Sequence, residues 1–165
     1  MAVTKAALTE VDIQSLKNKK KNNSKMRITI SLISTLSLLM VYLIVGFDTS
    51  NSFFRFFAGA VILINSALIL KSLIDTNYDN DLSEKQKYVG TVKVKKKEYW
   101  YDNEDNSEIF MINFDEWRIG NKSFKEEIWN TINEGDEFYV EQATNSGFLI
   151  KLEKDNVDFK AGLAR

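Results

Sequence analysis

The feature that most constrains this chain is ITISLISTLSLLMVYLIVGF, residues 28–47, twenty positions without a charged side chain. A helix needs about twenty apolar residues to cross roughly 30 Å of hydrocarbon, so this run predicts a membrane span. A second apolar stretch, FFAGAVILINSALIL, residues 56–70, is extended by Phe53 and Phe54 before it and by Leu73 and Ile74 after it. Arg55 and Lys71 sit at its two ends, where long basic side chains can snorkel to the interface, and the predicted span is 53–74. A cleaved signal peptide is the poorer reading of the first run. It is longer than a signal h-region and no small-x-small site follows it.

Charge gives the spans a direction. Residues 1–27 carry seven basic and two acidic side chains, net +5, and the basic ones cluster in KNKKKNNSKMR immediately before the first span. By the positive-inside rule Lys19, Lys20, Lys21, Lys25 and Arg27 hold that end in the cytoplasm, where they can also meet lipid headgroups. The short loop GFDTSN, 46–51, then lies outside, and the second helix returns the chain. Both termini are expected on the cytoplasmic side of a bacterial inner membrane. Within the spans Asn65 is the conspicuous polar residue. Matching midpoints of an antiparallel hairpin sets it level with Thr35 and Ser37, in a first helix that also carries Ser31 and Ser34, and Gly59 is expected to permit close helix approach.

From Asp75 onward there are 13 basic and 20 acidic side chains, net −7. Such a segment is a poor match for nucleic acid, whose affinity comes mostly from neutralising phosphates. DTNYDNDLSEKQ, 75–86, lacks periodicity and reads as an acidic linker; it departs from a calcium loop where Asn80 replaces the required Gly and Gln86 the bidentate Glu. YVGTVKVK and EIFMINF then alternate as strands, with Tyr88, Val92 and Val94 on one face of the first and Phe110, Ile112 and Phe114 on one face of the second. A short strand is expected at 117–119, then a helix opened by a Ser123/Glu126 capping box and facing the core with Phe124, Ile128 and Ile132. INEGDEFYVEQATNSGFLIKLE, 132–153, reads as a closing hairpin with Phe138, Val140, Phe148, Ile150 and Leu152 inward. Trp129, off the helical stripe, and Trp117 are the candidates for contact with a partner.

The fold class expected is therefore α+β: an arm (1–27), a two-helix transmembrane hairpin (28–74), a linker (75–86), a small mostly-β barrel, OB-like or SH3-like, with one short helix (87–154), and a flexible tail (155–165). The arm can form a short helix at 9–16 with Leu8, Val11 and Leu16 near one side. Closure is preferred because it removes exposed strand edges. The motif I-x-x-G-D-x-F-x-V followed by G-F-L-I-x-L resembles the last hairpin of the OB-type barrels carried by bacterial NfeD-like membrane proteins. That resemblance covers 132–152 only, and it implies an assembly module without catalytic residues.

Function follows the same division. The chain has no His and no Cys, so the usual neutral-pH base, thiol nucleophiles, thiolate metal sites and disulfides are excluded. No phosphate-loop glycines occur, and Glu116, Glu126 and Asp136 each have a plainer place in a turn, a cap or a solvated face. The expectation is a non-enzymatic membrane subunit without cofactor or metal. Its cytoplasmic β-module docks or scaffolds other membrane-complex proteins, with a homo-oligomer and the membrane itself as further partners. The alternatives are an immunity-type inhibitor and a small oligomeric channel or transporter subunit built around Asn65.

Overall fold

The structure is a computed structural model of the full chain and describes residues 3–45 and 52–164. Its order is β1 (Thr4–Ala7), α1 (Glu10–Val45), α2 (Ser52–Leu73), α3 (Thr76–Glu84), β2 (Gln86–Asp102), β3 (Ser107–Phe114), β4 (Asn121–Phe124), α4 (Glu126–Trp129), β5 (Glu137–Ala143), β6 (Leu149–Lys154) and β7 (Val157–Asp158), then a 3-10 turn at Lys160–Gly162. The fold is α+β, with a long N-terminal apolar helix and a mostly-β antiparallel sheet. Two units divide it: a helical unit, Leu16–Asp79, and a sheet unit made of Met1–Ser15 and Asn80–Arg165. The predicted loop 46–51 lies outside the described residues.

The helical unit consists mainly of α1 and α2, both long and apolar enough to cross a membrane. Their apolar surface is left open. Leu32, Ile33, Leu36, Leu39 and Met40 on α1 and Ile62, Leu63, Ile64 and Leu70 on α2 are each at least half exposed. That pattern differs from the core helix of a water-soluble bundle, in which a stripe of such residues is covered. Helix α1 starts well before the apolar run, so the whole basic cluster is helical.

The start of α1 corrects the reading of 1–27 as an arm. Residues 4–7 form β1, which pairs antiparallel with the first residues of β2, Thr4 opposite Val89 and Ala7 opposite Gln86. Thr9 then caps α1. Its hydroxyl accepts from the Asp12 N–H at 3.2 Å while the Asp12 carboxylate accepts from the Thr9 N–H at 2.9 Å, a reciprocal box with Asp in place of Glu. Leu8 and Ile13, the positions of a hydrophobic staple around that cap, are both buried. Val11, expected on the apolar side, is 75% exposed.

The sheet runs β4-β3-β2-β5-β6-β7, with β1 beside β2. Strand β2 is its spine and is 17 residues long. Its first half pairs with β5 and its second half with β3, and a register shift at Val94/Lys96 divides the two. Val92, Val94, Ile112, Phe114, Phe124, Ile132, Phe138, Val140 and Leu152 make the core, and Phe114 meets Phe138 edge-on at 5.9 Å. The alternation expected for β2 and β3 therefore holds at its central positions. In the closing hairpin it breaks. A bulge between Glu141 and Gln142 shifts the register, so Leu149 is buried in place of Phe148 and Ile150, which are half-buried.

Four further expectations are corrected. Residues 117–119 form a turn, and the strand is β4 immediately after it. Ser123 and Phe124 belong to β4, so there is no capping box: α4 is a single turn whose N-cap, Lys125, makes no side-chain cap bond. The linker 75–86 contains α3, closed at Lys85 by a left-handed residue (φ 53) whose N–H bonds the Asp81 carbonyl at 2.9 Å. The tail is not free either. Asp155 and Asn156, both at positive φ, form a two-residue turn that folds β7 onto β6. Beyond it Phe159 meets Phe138 edge-on at 5.1 Å, Leu163 bridges to Phe124, and the Ala164 N–H bonds the Ser123 carbonyl at 2.9 Å. The segment that follows β7 is thus hydrogen-bonded back to β4, the strand at the other end of the sheet path.

Candidate functional site

In the helical unit the polar residues of the two long helices meet. The Ser34 hydroxyl donates to the Asn65 Oδ1 at 2.6 Å, and the Asn65 amide donates to the Thr35 hydroxyl at 3.0 Å. Ser37 instead donates to the Ile33 carbonyl of its own helix. Ser31, whose carbonyl accepts from both Ser34 and Thr35, is buried. Gly59 makes no close approach, since a Cβ there would have nothing within 4 Å. Asn65 thereby joins α1 to α2 through side chains that would otherwise sit among apolar residues with few partners.

The basic cluster is divided by use. Arg27 pairs with Asp75 at 3.0 Å and donates to the Lys71 carbonyl at 2.8 Å, and Lys20 pairs with Asp79. Lys19, Lys21 and Lys25 are exposed. Asp75 and Asp79, one turn apart, thus match Arg27 and Lys20, seven residues apart on α1, which is why the acidic stretch needs no apolar stripe to hold its helix.

In the sheet unit three polar constellations stand out. Asp81 is completely buried and faces no cation among the described residues. Its two oxygens accept from the Asn145 and Ser146 N–H groups at 2.7 and 2.8 Å, with the Asn145 amide at 3.2 Å and the Thr144 hydroxyl at 3.3 Å completing the shell. The carboxylate thus substitutes for water at the donors of the β5–β6 turn. The second constellation is Lys87, buried between Asp12 at 2.7 Å and Glu141, which also accepts from the Tyr139 hydroxyl at 2.9 Å. Burial opposes the charge on both Asp12 and Lys87. The Asp12–Lys87 hydrogen bond, with the Thr9 cap and Glu141, outweighs it, so Asp12 lies below its ordinary value and Lys87 above its own. Neither constellation was legible: the partners are 54 to 75 residues apart in sequence.

The third surrounds Trp129. Its ring lies 5.4 Å from Phe110, its Nε1–H donates to the Met111 carbonyl at 3.1 Å, and the Lys97 ammonium stands 3.8 Å from its centroid. Lys97 also donates to the Trp129 and Ile132 carbonyls at 2.7 and 2.6 Å, closing the C-terminus of α4. Trp129 is therefore committed to the sheet unit's own packing. Trp117 is different. It is 80% exposed in the 117–119 turn, with the Arg118 guanidinium 5.3 Å from its ring, and the two line an open cleft of about 460 Å³ with Val3, Lys5 and Tyr88.

Two of the carboxylates considered for chemistry, Asp136 and Glu116, have structural uses. Asp136 pairs with Lys154 at 2.6 Å and caps the Asn133 N–H at 2.8 Å; burial would raise it, but Lys154 and the cap hold it below the ordinary range. Glu116 stands 3.6 Å from Arg118. Among the described residues no group of three or more acidic side chains is arranged to hold a metal ion. No family model matches the chain, and no curated protein or solved structure matches it either.

Proposed function

We propose that this protein is a two-pass membrane subunit whose sheet unit acts as a docking module on the cytoplasmic side. The observation that carries the reading is the open apolar surface of α1 and α2. Residues such as Leu36, Ile62 and Leu63 are more than half exposed, and lipid is the solvent that makes their exposure favourable. The Lys19, Lys21 and Lys25 ammoniums, next to the apolar run, then face lipid headgroups and fix the N-terminal side inward. The sheet unit is read as a small closed barrel, because the bridge from Leu163 to Phe124 covers an edge that an open sheet would expose. The resemblance of 132–152 to the NfeD-type hairpin agrees with that reading.

Docking is favoured over an inhibitor or a channel by where the side chains are spent. Asn65 is held by Ser34 and Thr35 inside its own hairpin, and Asp12, Asp81, Lys87, Asp136 and Glu141 of the sheet unit are engaged in caps, turns and ion pairs, whereas large aromatics remain at its surface. The test is capture of the full chain from native membranes in mild detergent after chemical cross-linking. A partner recovered at fixed stoichiometry that is lost when the sheet unit is altered is the expected result. Recovery of the chain alone, or only with itself, would overturn the docking role.

A further inference from the structure

Among the described residues, the sheet unit leaves a long stretch of strand edge without a neighbouring strand. Strand β5 accompanies β2 only as far as Lys93, and β4 accompanies β3 only from Phe110 to Asn113. Past Lys97, whose N–H bonds the Glu134 carboxylate at 3.0 Å, the remainder of β2 has β3 on one side and, among the described residues, no strand on the other. The ribbon this leaves, 98–109, projects backbone donors and acceptors into solvent. Folds usually shorten or blunt such edges, because an open edge is a template for another strand. Here the edge is long and bears three consecutive aromatics, Tyr99, Trp100 and Tyr101, 52%, 41% and 47% exposed.

Charge chooses the occupant. From Glu98 to Glu108 the ribbon reads EYWYDNEDNSE, with five carboxylates and no basic side chain. Glu98 is paired with Lys96 at 2.7 Å, whereas Asp102, Glu104, Asp105 and Glu108 have no ion-pair partner among the described residues. Three lysines, Lys95 to Lys97, end at the base of the ribbon, so the charge along β2 changes sign where the free edge begins. Tyr99 is already tied to Glu108 and lies tilted against Phe110 with ring centres 5.1 Å apart, which holds its ring as a rigid platform.

We infer that the outer edge of β2, from about Glu98 to Asp102, takes an extended, lysine- or arginine-rich segment of a partner protein by strand addition. Backbone hydrogen bonds supply the pairing, the aromatic faces take its cations, and the acidic tip sets polarity and register. The inference rests on the docking role and specifies its surface. It treats the acidic side chains as recognition elements, where a purely protective edge would need charge but not three exposed aromatics.

The probe is a ten-residue peptide alternating Lys and Val, with its Glu–Val counterpart as control, titrated onto the full chain in detergent micelles. The Lys–Val peptide is expected to bind at least tenfold more tightly than the control, to weaken as salt is raised, and to slow hydrogen exchange at residues 98–102. The variant E104Q/D105N/E108Q, which alters only exposed side chains, is expected to lose tenfold or more in affinity. Equal binding of the two peptides, unchanged binding by the variant, or no protection of 98–102 would each overturn the proposal. A native partner captured equally by wild type and variant would overturn this surface while leaving the docking role intact; peptide binding without any native partner would do the reverse.

Discussion

Lys87 shows most clearly how one residue can hold distant parts of the sequence together. Its ammonium is removed from water and compensated by Asp12, at the first turn of α1, and by Glu141, on β5. Replacing it with Met leaves the buried Asp12 and the half-buried Glu141 carboxylates without a counter-charge, which costs about 3–5 kcal/mol. All three tryptophans, Trp100, Trp117 and Trp129, belong to the sheet unit, so tryptophan fluorescence during denaturation reports that unit alone. K87M should unfold at distinctly lower denaturant by that probe, and a midpoint equal to wild type would remove the cluster from the account. The pH dependence has a definite sign. Asp12 is depressed, so its contribution is present above about pH 4 and is lost as pH falls through its lowered value; Lys87 is raised, so its contribution is present below about pH 10 and is lost as pH rises through its elevated value. K87M should therefore flatten part of both limbs of the stability profile.

At the scale of elements, what the sequence made legible were runs whose period matched their structure. Residues 28–45 of the uncharged run became the apolar part of α1, and alternation found the buried faces of β2 and β3. What escaped were elements held by polar pairs or by turns. Helix α3 has no apolar stripe, because Asp75, Asp79 and Asp81 tie it through their side chains. Strand β1 is four residues and carries no alternation to read; the Thr9/Asp12 box after it was a readable signal that the capping rule accommodates. The Asp155-Asn156 turn was a hairpin signal in a segment expected to be free. Asp81→Ala tests the α3 reading, since it strands the Asn145 and Ser146 N–H groups at a loss of about 1–3 kcal/mol each. The fluorescence midpoint should fall accordingly, and D81N, which keeps one acceptor oxygen, should lose less; equal effects of the two would contradict the role given to the carboxylate. In the helical unit, Asn65→Leu removes both inter-helix hydrogen bonds, a loss of about 0.6–2 kcal/mol. Loss of helicity at lower dodecyl sulfate concentration is expected. The channel alternative instead predicts a change of conductance in liposomes.

At the scale of the whole molecule, the division into units was only partly visible. The contrast between an apolar first half and an acidic second half marked two bodies, but the sheet unit reaches back to the N-terminus through β1 and the first turns of α1. Sequence order alone assigns those residues to the basic arm, because pairing between residues 85 positions apart leaves no local trace. The candidate surface had the same fate. Trp129 and Trp117 drew notice as large aromatics in polar surroundings, yet Trp129 is absorbed by Phe110, Met111 and Lys97, while the aromatic run 99–101 stood unremarked inside a strand. Whether a strand edge is free is a property of its neighbours, and no pattern within β2 reveals it.

We propose that the two apolar helices, each long and apolar enough to cross a membrane, form a membrane hairpin with the sheet unit and both termini on the cytoplasmic side. The chain contains no cysteine, so single cysteines can be placed without background and challenged in intact cells with a membrane-impermeant maleimide. Thr49→Cys, which lies between the two helices in sequence, should be labelled from outside, whereas Asn106→Cys, at the tip of the β2–β3 ribbon, and Lys5→Cys, on β1, should react only after the cells are permeabilised. Labelling of Asn106→Cys or Lys5→Cys in intact cells, or protection of Thr49→Cys there with labelling after permeabilisation, would contradict the account.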